Sequence, residues 1–292
     1  MRRASRGDLS AVEELCRTSV GADDYVIGYL RWEVENCHVH VALDGNRIVG
    51  MATYRPVIDG SGWLAMARTR PDYRRQGVNR AIVDSYVRLA RRNGVRRLRL
   101  WTNAGNVDGM ATFSAVGFRE VARFTRIQAA ARSGRVESRP RTFDARLWRR
   151  IASSALVRMG NGFVPHGWEF VRADRVTAKA IAASGAMRGW GPNLLAAPDL
   201  PRPVPEDSPL QLTMWAGNPD AILGEGRRLA AAKGLEFVGT YVPHRPQLLR
   251  RATRAGYEIV KWGDEAVLCE LAVPPPRRRR PTGSARAGRT RS

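Results

Sequence analysis

Between residues 38 and 54 the chain takes on a two-residue hydrophobic period around a tight turn, and this switch sets the fold class. His38-Val39-His40-Val41-Ala42-Leu43 and Arg47-Ile48-Val49-Gly50-Met51-Ala52-Thr53-Tyr54 flank Asp44-Gly45-Asn46, the signature of a β-hairpin. Ahead of it the spacing is helical. Asp8 is placed to cap a helix through Leu9, Val12 and Leu15, and a second helical stretch runs from about Asp23 to Glu35. After it the chain reads as a strand (Trp63 to Thr69), a loop, and a helix through Val78, Ile82, Tyr86 and Leu89 that Asn93-Gly94 closes. A strand (Leu98 to Thr102), a short helix (Val107 to Val116) and a strand (Glu120 to Ala129) follow. This order predicts an α+β domain around one mixed, twisted sheet flanked by helices.

The second half echoes the first. Gly94 and Gly117 stand 23 positions apart, Gly234 and Gly256 stand 22 apart, and each pair brackets a strand and a helix. The second glycine of each pair precedes an aromatic residue and then a strand: Gly117-Phe118-Arg119-Glu120-Val121 against Gly256-Tyr257-Glu258-Ile259-Val260. Two copies suggest a diverged internal duplication and exclude a solenoid. The expected organisation is a first domain over residues 1–130, a polar linker over 131–141, a second domain over 142–273, and an Arg/Pro-rich disordered tail over 274–292. Within the second domain, helix is expected at 143–157, 222–233 and 247–255, and strand at 168–171, 210–215 and 235–241. Two last strands are expected to flank Gly263-Asp264.

Charge narrows the partners without choosing one. The net charge is +22, and the tail's seven arginines taken from it leave +15 on the rest. Such an excess attracts polyanions, whether coenzyme A, nucleic acid or an anionic surface. The tail is a candidate for weak polyanion binding, yet no zinc finger or RNA-recognition motif accompanies it. Cys16, Cys37 and Cys269 are too few and too scattered for a disulfide framework, which points to reduced thiols and a cytoplasmic protein. Neither an apolar signal core nor a membrane span is visible, and no Cys/His cluster has metal spacing, so no metal site is expected.

The most informative segment is Arg74-Arg75-Gln76-Gly77-Val78-Asn79-Arg80, which leaves a strand and opens a helix. A helix N-terminus offers unpaired N–H groups at its positive end and binds phosphate through backbone alone. With the strand before it, Leu64 to Thr69 and then Arg70-Pro71-Asp72-Tyr73, this stretch resembles the signature of the GNAT superfamily, the GCN5-related N-acetyltransferases. There a strand runs into Pro-x-Tyr-Arg-x-x-Gly-x-Gly and a helix. Asn106, Gly109, Phe113 and Gly117-Phe118 match that family's second spacing, Asn-x-x-Ala-x-x-x-Tyr-x-x-x-Gly-Phe. The resemblance covers residues 1–130 and reaches 142–273 only through the echo, as a degenerate second copy.

The resemblance implies an acyl-CoA co-substrate, acetyl-CoA or a relative of it, and a small-molecule or peptide amine as acceptor. Backbone groups of Met66, Ala67, Arg68 and Thr69 would meet the pantetheine arm. Backbone N–H groups of Gln76, Gly77, Val78, Asn79 and Arg80 would cradle the pyrophosphate, Arg74 and Arg75 would add positive charge to this cofactor loop, and Asn106 and Phe113 would lie near the cofactor, Asn106 by the pantetheine. The strand from Leu98 would splay from its neighbour to admit the cofactor.

Two departures stand out. Asn79 replaces the last glycine of the loop, at a position where asparagine tolerates left-handed backbone. Phe113 replaces the tyrosine that protonates the departing thiolate in many relatives. No carboxylate lies on the cofactor strand; Glu33, Glu35 and Asp59 are the candidate bases. The sequence therefore supports an N-acyltransferase first. A non-catalytic acyl-CoA-binding protein and a basic nucleic-acid-associated protein are the alternatives.

Overall fold

A computed structural model of the chain describes residues 1–199 and 208–275. The first half runs β1 (Arg2–Arg3), α1 (Leu9–Ser19), α2 (Val26–Asn36), β2 (His38–Asp44), β3 (Arg47–Pro56), β4 (Gly62–Thr69), α3 (Val78–Arg92), β5 (Arg97–Asn103), α4 (Val107–Ala115) and β6 (Arg119–Ala130). The second continues with β7 (Arg139–Pro140), α5 (Ala145–Ala152), α6 (Ala155–Met159), β8 (Phe163–His166), β9 (Glu169–Arg172), α7 (Arg175–Ala183), β10 (Met187–Trp190) and β11 (Asn193–Ala196). Then come β12 (Leu210–Gln211), β13 (Thr213–Ala216), α8 (Pro219–Ala232), β14 (Phe237–Pro243), α9 (Pro246–Arg254), β15 (Glu258–Ile259) and β16 (Ala266–Ala272). Residues 200–207 and the basic tail from residue 276 onward lie outside the described residues.

One mixed sheet runs through both halves in the order β1-β2-β3-β4-β5-β16-β6-β14-β12, with β15 also paired to β6. The hairpin read at residues 38–54 is its β2/β3 pair, antiparallel from His38↔Tyr54 to Asp44↔Arg47. Helices α1 and α2 cover one face through Val12, Leu15, Val26 and Leu30, against Val39, Val41 and Met51. Helix α3 covers the other face through Ile82, Val83, Tyr86 and Leu89, against Ala52, Tyr54 and Leu98. Every third or fourth residue of α3 is buried, as its apolar spacing requires. Asp8 precedes α1 as expected, but its carboxylate turns back to Ser5 N–H and to Arg2 (2.7 Å each) and does not cap the helix itself.

The strands of the two halves interleave. β16, the last described strand, lies between β5 and β6, pairing Ala266↔Asn103 through Ala272↔Arg97 on one side and Ala266↔Phe124 through Glu270↔Arg119 on the other. Reciprocally, the far end of β6 lies between β14 (Thr240↔Ile127) and β15 (Ile259↔Ile127). Each half thus inserts a strand into the other. All four glycines of the echo end a helix in the left-handed region: Gly94 at φ 70°, Gly117 at 97°, Gly234 at 71° and Gly256 at 81°.

Several elements depart from the sequence reading. The helix expected over 143–157 is broken into α5 and α6, and Ser154 caps the second with its side chain on Val157 N–H. The strand expected over 210–215 divides at Leu212. β12 joins the main sheet beside β14, while β13 joins a second sheet in the order β13-β11-β10-β7. A turn of backbone at the buried Leu212 lets one apolar run serve two layers. The polar stretch 131–141 is fastened down: Ala131 N–H donates to Glu236 O, and Glu137 and Ser138 N–H both donate to the buried carboxylate of Glu225.

Candidate functional site

Parallel strands β4 and β5 pair only at Gly62↔Leu98 and Trp63↔Arg99, then part. Gly62 permits the close start, since a Cβ there would stand 2.3 Å from the Tyr54 ring and 2.8 Å from Leu98. Beyond it the β3/β4 register slips between Thr53↔Ala65 and Met51↔Arg68, and Met66 takes φ 56°. This bulge leaves Ala52 without a partner in β4 while it stays paired with His40 of β2, and the Tyr86 hydroxyl donates to its carbonyl. The parting strands enclose a cavity of about 730 Å³. One wall comes from Met66, Ala67 and Arg68 of β4, another from Asn79, Ile82 and Val83 of α3, and Asn106 and Phe113 close that side.

At the mouth, Arg75 (φ 61°) and Gly77 (φ 80°) both adopt left-handed backbone, and α3 begins at Val78. The first N–H groups of α3 therefore face outward without intrahelical acceptors, and its first turn carries no acidic residue. The loop is braced from outside: Arg74 donates to Ser19 O (2.9 Å), Gln76 to Asp72 O (2.7 Å), and the Tyr73 hydroxyl to Asp44 (2.7 Å). Gly50 lets α3 settle on β3, because a Cβ there would lie 2.5 Å from Val78. Asn79 is inside the helix, and the left-handed turn expected of it falls on Arg75 and Gly77 instead. It lines the cavity.

The expected cofactor residues thus fall into two groups. Met66, Ala67, Arg68, Asn79, Asn106 and Phe113 line the cavity, whereas Thr69, Arg74, Arg75, Gln76, Gly77, Val78 and Arg80 are not in its wall. Of the latter, residues 74–80 form the loop and first helical turn at its mouth. The Arg68 guanidinium is spent on Asp24 (2.6 Å at each end), which leaves the cavity its backbone and stem. Asn106 caps α4 by accepting from Gly109 N–H (3.1 Å) and donates to Thr102 Oγ (2.8 Å). Phe113 offers a ring edge-on to Phe118 and no proton.

None of the three candidate bases lines the cavity. Glu35 is on the outer surface with Arg6 (3.0 Å) and Arg31 (3.5 Å). Asp59 is buried against Arg99, Ser61 and the Arg172 N–H. Burial alone would raise its carboxyl, but these three donors outweigh it and hold it below the usual carboxylate range. Glu33 is buried and paired with Arg55 (3.0 Å), and Arg55, which does line the cavity, also pairs with Glu169 of β9. Glu33 therefore reaches the site through Arg55.

Residues with no motif of their own complete the cavity. Tyr25 and Tyr29 stand on the α2 side, and Trp101, Trp168 and Trp262 on the other. Trp168 is pinned: its carbonyl accepts from Trp101 Nε1 (3.2 Å) and its ring covers the buried Arg126 guanidinium at 4.6 Å. Burial lowers Arg126 to about 10, so it stays charged at neutral pH. In the sequence these tryptophans mark strand ends and turns; only the interleaved topology gathers them. Among the described residues no group of His, Cys, Asp and Glu could hold a metal ion, and no helix is long and apolar enough to cross a membrane.

No curated protein matches the chain. Among solved structures, a protein assigned as an acetyltransferase from Thermoplasma acidophilum shares 14% identity at a TM-score of 0.63, over 93% of this chain and 98% of that one. A GCN5-related N-acetyltransferase from Sphaerobacter thermophilus gives 14% identity and a TM-score of 0.54, over 94% of this chain and 95% of that one. At such identities the likeness is one of fold, and it extends through both halves. Residues 9–118 match the acetyltransferase (GNAT) family, and the splayed strands and the left-handed loop before α3 both fall inside that match.

Proposed function

We propose that the protein is an acyl-CoA-dependent N-acyltransferase, with acetyl-CoA as donor and a primary amine as acceptor. The observation that carries this reading is the pairing of a splayed β4/β5 cleft with an outward-facing α3 N-terminus at its mouth. The site fits the donor. Backbone N–H groups at 76–80 suit a pyrophosphate, and the Met66–Arg68 bulge suits the amides of an extended arm.

Acetyl-CoA supplies an activated acyl group. The chain's residues hold it against the acceptor and exclude water. The acceptor nitrogen, as free amine, forms the new C–N bond to the thioester carbonyl as the C–S bond breaks. One proton leaves the nitrogen and one arrives on the thiolate, giving amide and thiol. Phe113 cannot deliver that proton, so it comes from solvent. A thiolate near the cysteine reference pKa of about 8.5 leaves tolerably without help. The assay is thiol release requiring both acetyl-CoA and an amine; acetyl-CoA binding with no release from any amine would favour the non-catalytic binder, which Phe113 and the lack of a carboxylate in the cavity wall already support. If catalysis holds, Phe113→Tyr is expected to raise kcat roughly tenfold, below the usual range of general-acid effects because solvent already serves. An unchanged kcat would mean that departure of the thiolate does not limit turnover.

We read the second half as a copy that has lost the donor site. The parallel β12/β14 pair again holds only two positions, Leu210↔Val238 and Gln211↔Gly239. The N-terminus of α8 is closed to anions by Pro219, by Asn218 accepting from Asp220 N–H, and by the Asp220 charge. Its role is to wall the acceptor side with Trp168 and Trp262.

A further inference from the structure

A second cavity lies in the second half of the chain and shares no lining residue with the β4/β5 cleft. It encloses about 420 Å³ between β7, α5 and the β10–β11 turn. Arg141, Arg146 and Arg150 line it, with Thr142 and Asp144 beside them, and the buried Leu147 and Leu194 supply its apolar wall. The three arginines are held in place without being neutralised. Arg150 donates to the Gly191 carbonyl (2.6 Å), and the Arg141 stem runs beside Gly189, where a Cβ would stand 3.4 Å from its Cγ. Among the described residues none of the three forms an ion pair. The one carboxylate in the wall, Asp144, caps α5 by accepting from Leu147 N–H (2.6 Å). By contrast, Arg55, Arg68 and Arg99 each meet a carboxylate: Glu33 and Glu169, Asp24, and Asp59 and Glu270. Three guanidinium groups against one carboxylate leave this wall with two positive charges in excess, and a guanidinium does not shed its charge near neutral pH.

We propose that this cavity is a binding site for a compact organic phosphate, separate from the donor cleft. The guanidinium fork matches phosphate oxygens in pairs, and a phosphate dianion offsets the two excess charges. Thr142 adds a hydroxyl to the same wall. A volume of about 420 Å³ is that of a small-molecule site rather than of a bare ion, and Leu147 and Leu194 give the organic part an apolar surface to cover. A polynucleotide fits less well, because strands of that kind follow a basic groove with aromatic platforms, and this cavity has aliphatic side chains and no aromatic ring in its wall.

The test is calorimetric titration of the full chain with phenyl phosphate, with coenzyme A present in excess to occupy the 74–80 loop. Binding at one site is expected, and inorganic phosphate is expected to bind about tenfold more weakly because it leaves the apolar wall bare. Arg146 is exposed, so its replacement leaves the fold in place. Arg146→Ala is expected to weaken phenyl phosphate about tenfold, and Arg146→Lys to recover part of the loss. Both variants keep the basic tail and the 74–80 loop, so phosphate held there would not respond. The inference is overturned if the folded chain does not bind phenyl phosphate, if Arg146→Ala and Arg141→Ala both leave binding unchanged, or if inorganic phosphate binds equally well. Tighter binding of a single-stranded oligonucleotide, weakened by the same substitutions, would assign these arginines to a nucleic-acid surface and overturn it too. None of these outcomes bears on the acyltransferase reading, which rests on the β4/β5 cleft.

Discussion

A chain ending at residue 130, where composition alone would cut it, is expected not to fold. Its β5 and β6 would each lose β16, which pairs seven positions of β5 and five of β6. The buried side chains of Ala266, Val267, Leu268 and Cys269 would go with it. At about 1.5–3 kcal/mol for each large apolar side chain, the loss is on the order of 5 kcal/mol. That is comparable to the whole stability of a typical domain, about 5–15 kcal/mol. Two bare strand edges would also be exposed to aggregation. Circular dichroism and a thermal melt of the fragment are expected to show no cooperative transition. A fragment that melts reversibly and binds acetyl-CoA would mean that the strand exchange is dispensable.

Asp59→Ala is expected to lower stability by about 3 kcal/mol, near the low end for breaking a buried ion pair, because the partner charge is left behind. Arg99 is 2% exposed and holds Asp59, Ser61 and Glu270 together under the Phe163 ring, while Asp59 also accepts from the Arg172 N–H. One carboxylate thus ties the β3–β4 loop, β5, β16 and β9. For a chain of this size the melting temperature falls by roughly 6–12 °C. Because the folded-state carboxyl is held low, its contribution is full above the unfolded carboxylate pKa of about 3.9 and is lost as pH falls through the lower folded value. The stability gap between Asp59→Ala and the parent chain should therefore narrow in acid. A variant with parental stability and lost turnover would instead make Asp59 a catalytic group.

The elements of the first half were legible because each is a local signal. The DG turn, the 3.6-residue stripe of α3 and the Gly77 loop are read without knowing what they pack against. The internal echo was legible for the same reason, through helix-ending glycines with positive φ. What could not be read was which strands exchange neighbours. β16 looks like an ordinary terminal strand, and nothing in Ala266–Ala272 announces that both its edges are paired across halves. The base candidates illustrate the limit. Glu33, Glu35 and Asp59 were equivalent as acids near a motif, and only burial and partners separate them: one behind Arg55, one on the outer surface, one in a structural knot. Arg55, Trp168 and Trp262 carry no spacing signal, since they come together through topology alone.

Every role proposed for the cleft depends on the 74–80 loop holding the donor. Calorimetric titration of the full chain with acetyl-CoA, beside the double variant Arg75→Glu, Gly77→Glu, tests it most directly. Glutamate at 77 opposes the left-handed backbone and sets negative charge at the positive end of α3. The expected result is micromolar binding by the parent chain and its loss in a variant that still melts cooperatively. Equal binding by both, or none by a folded parent chain, would contradict the assignment of this cleft.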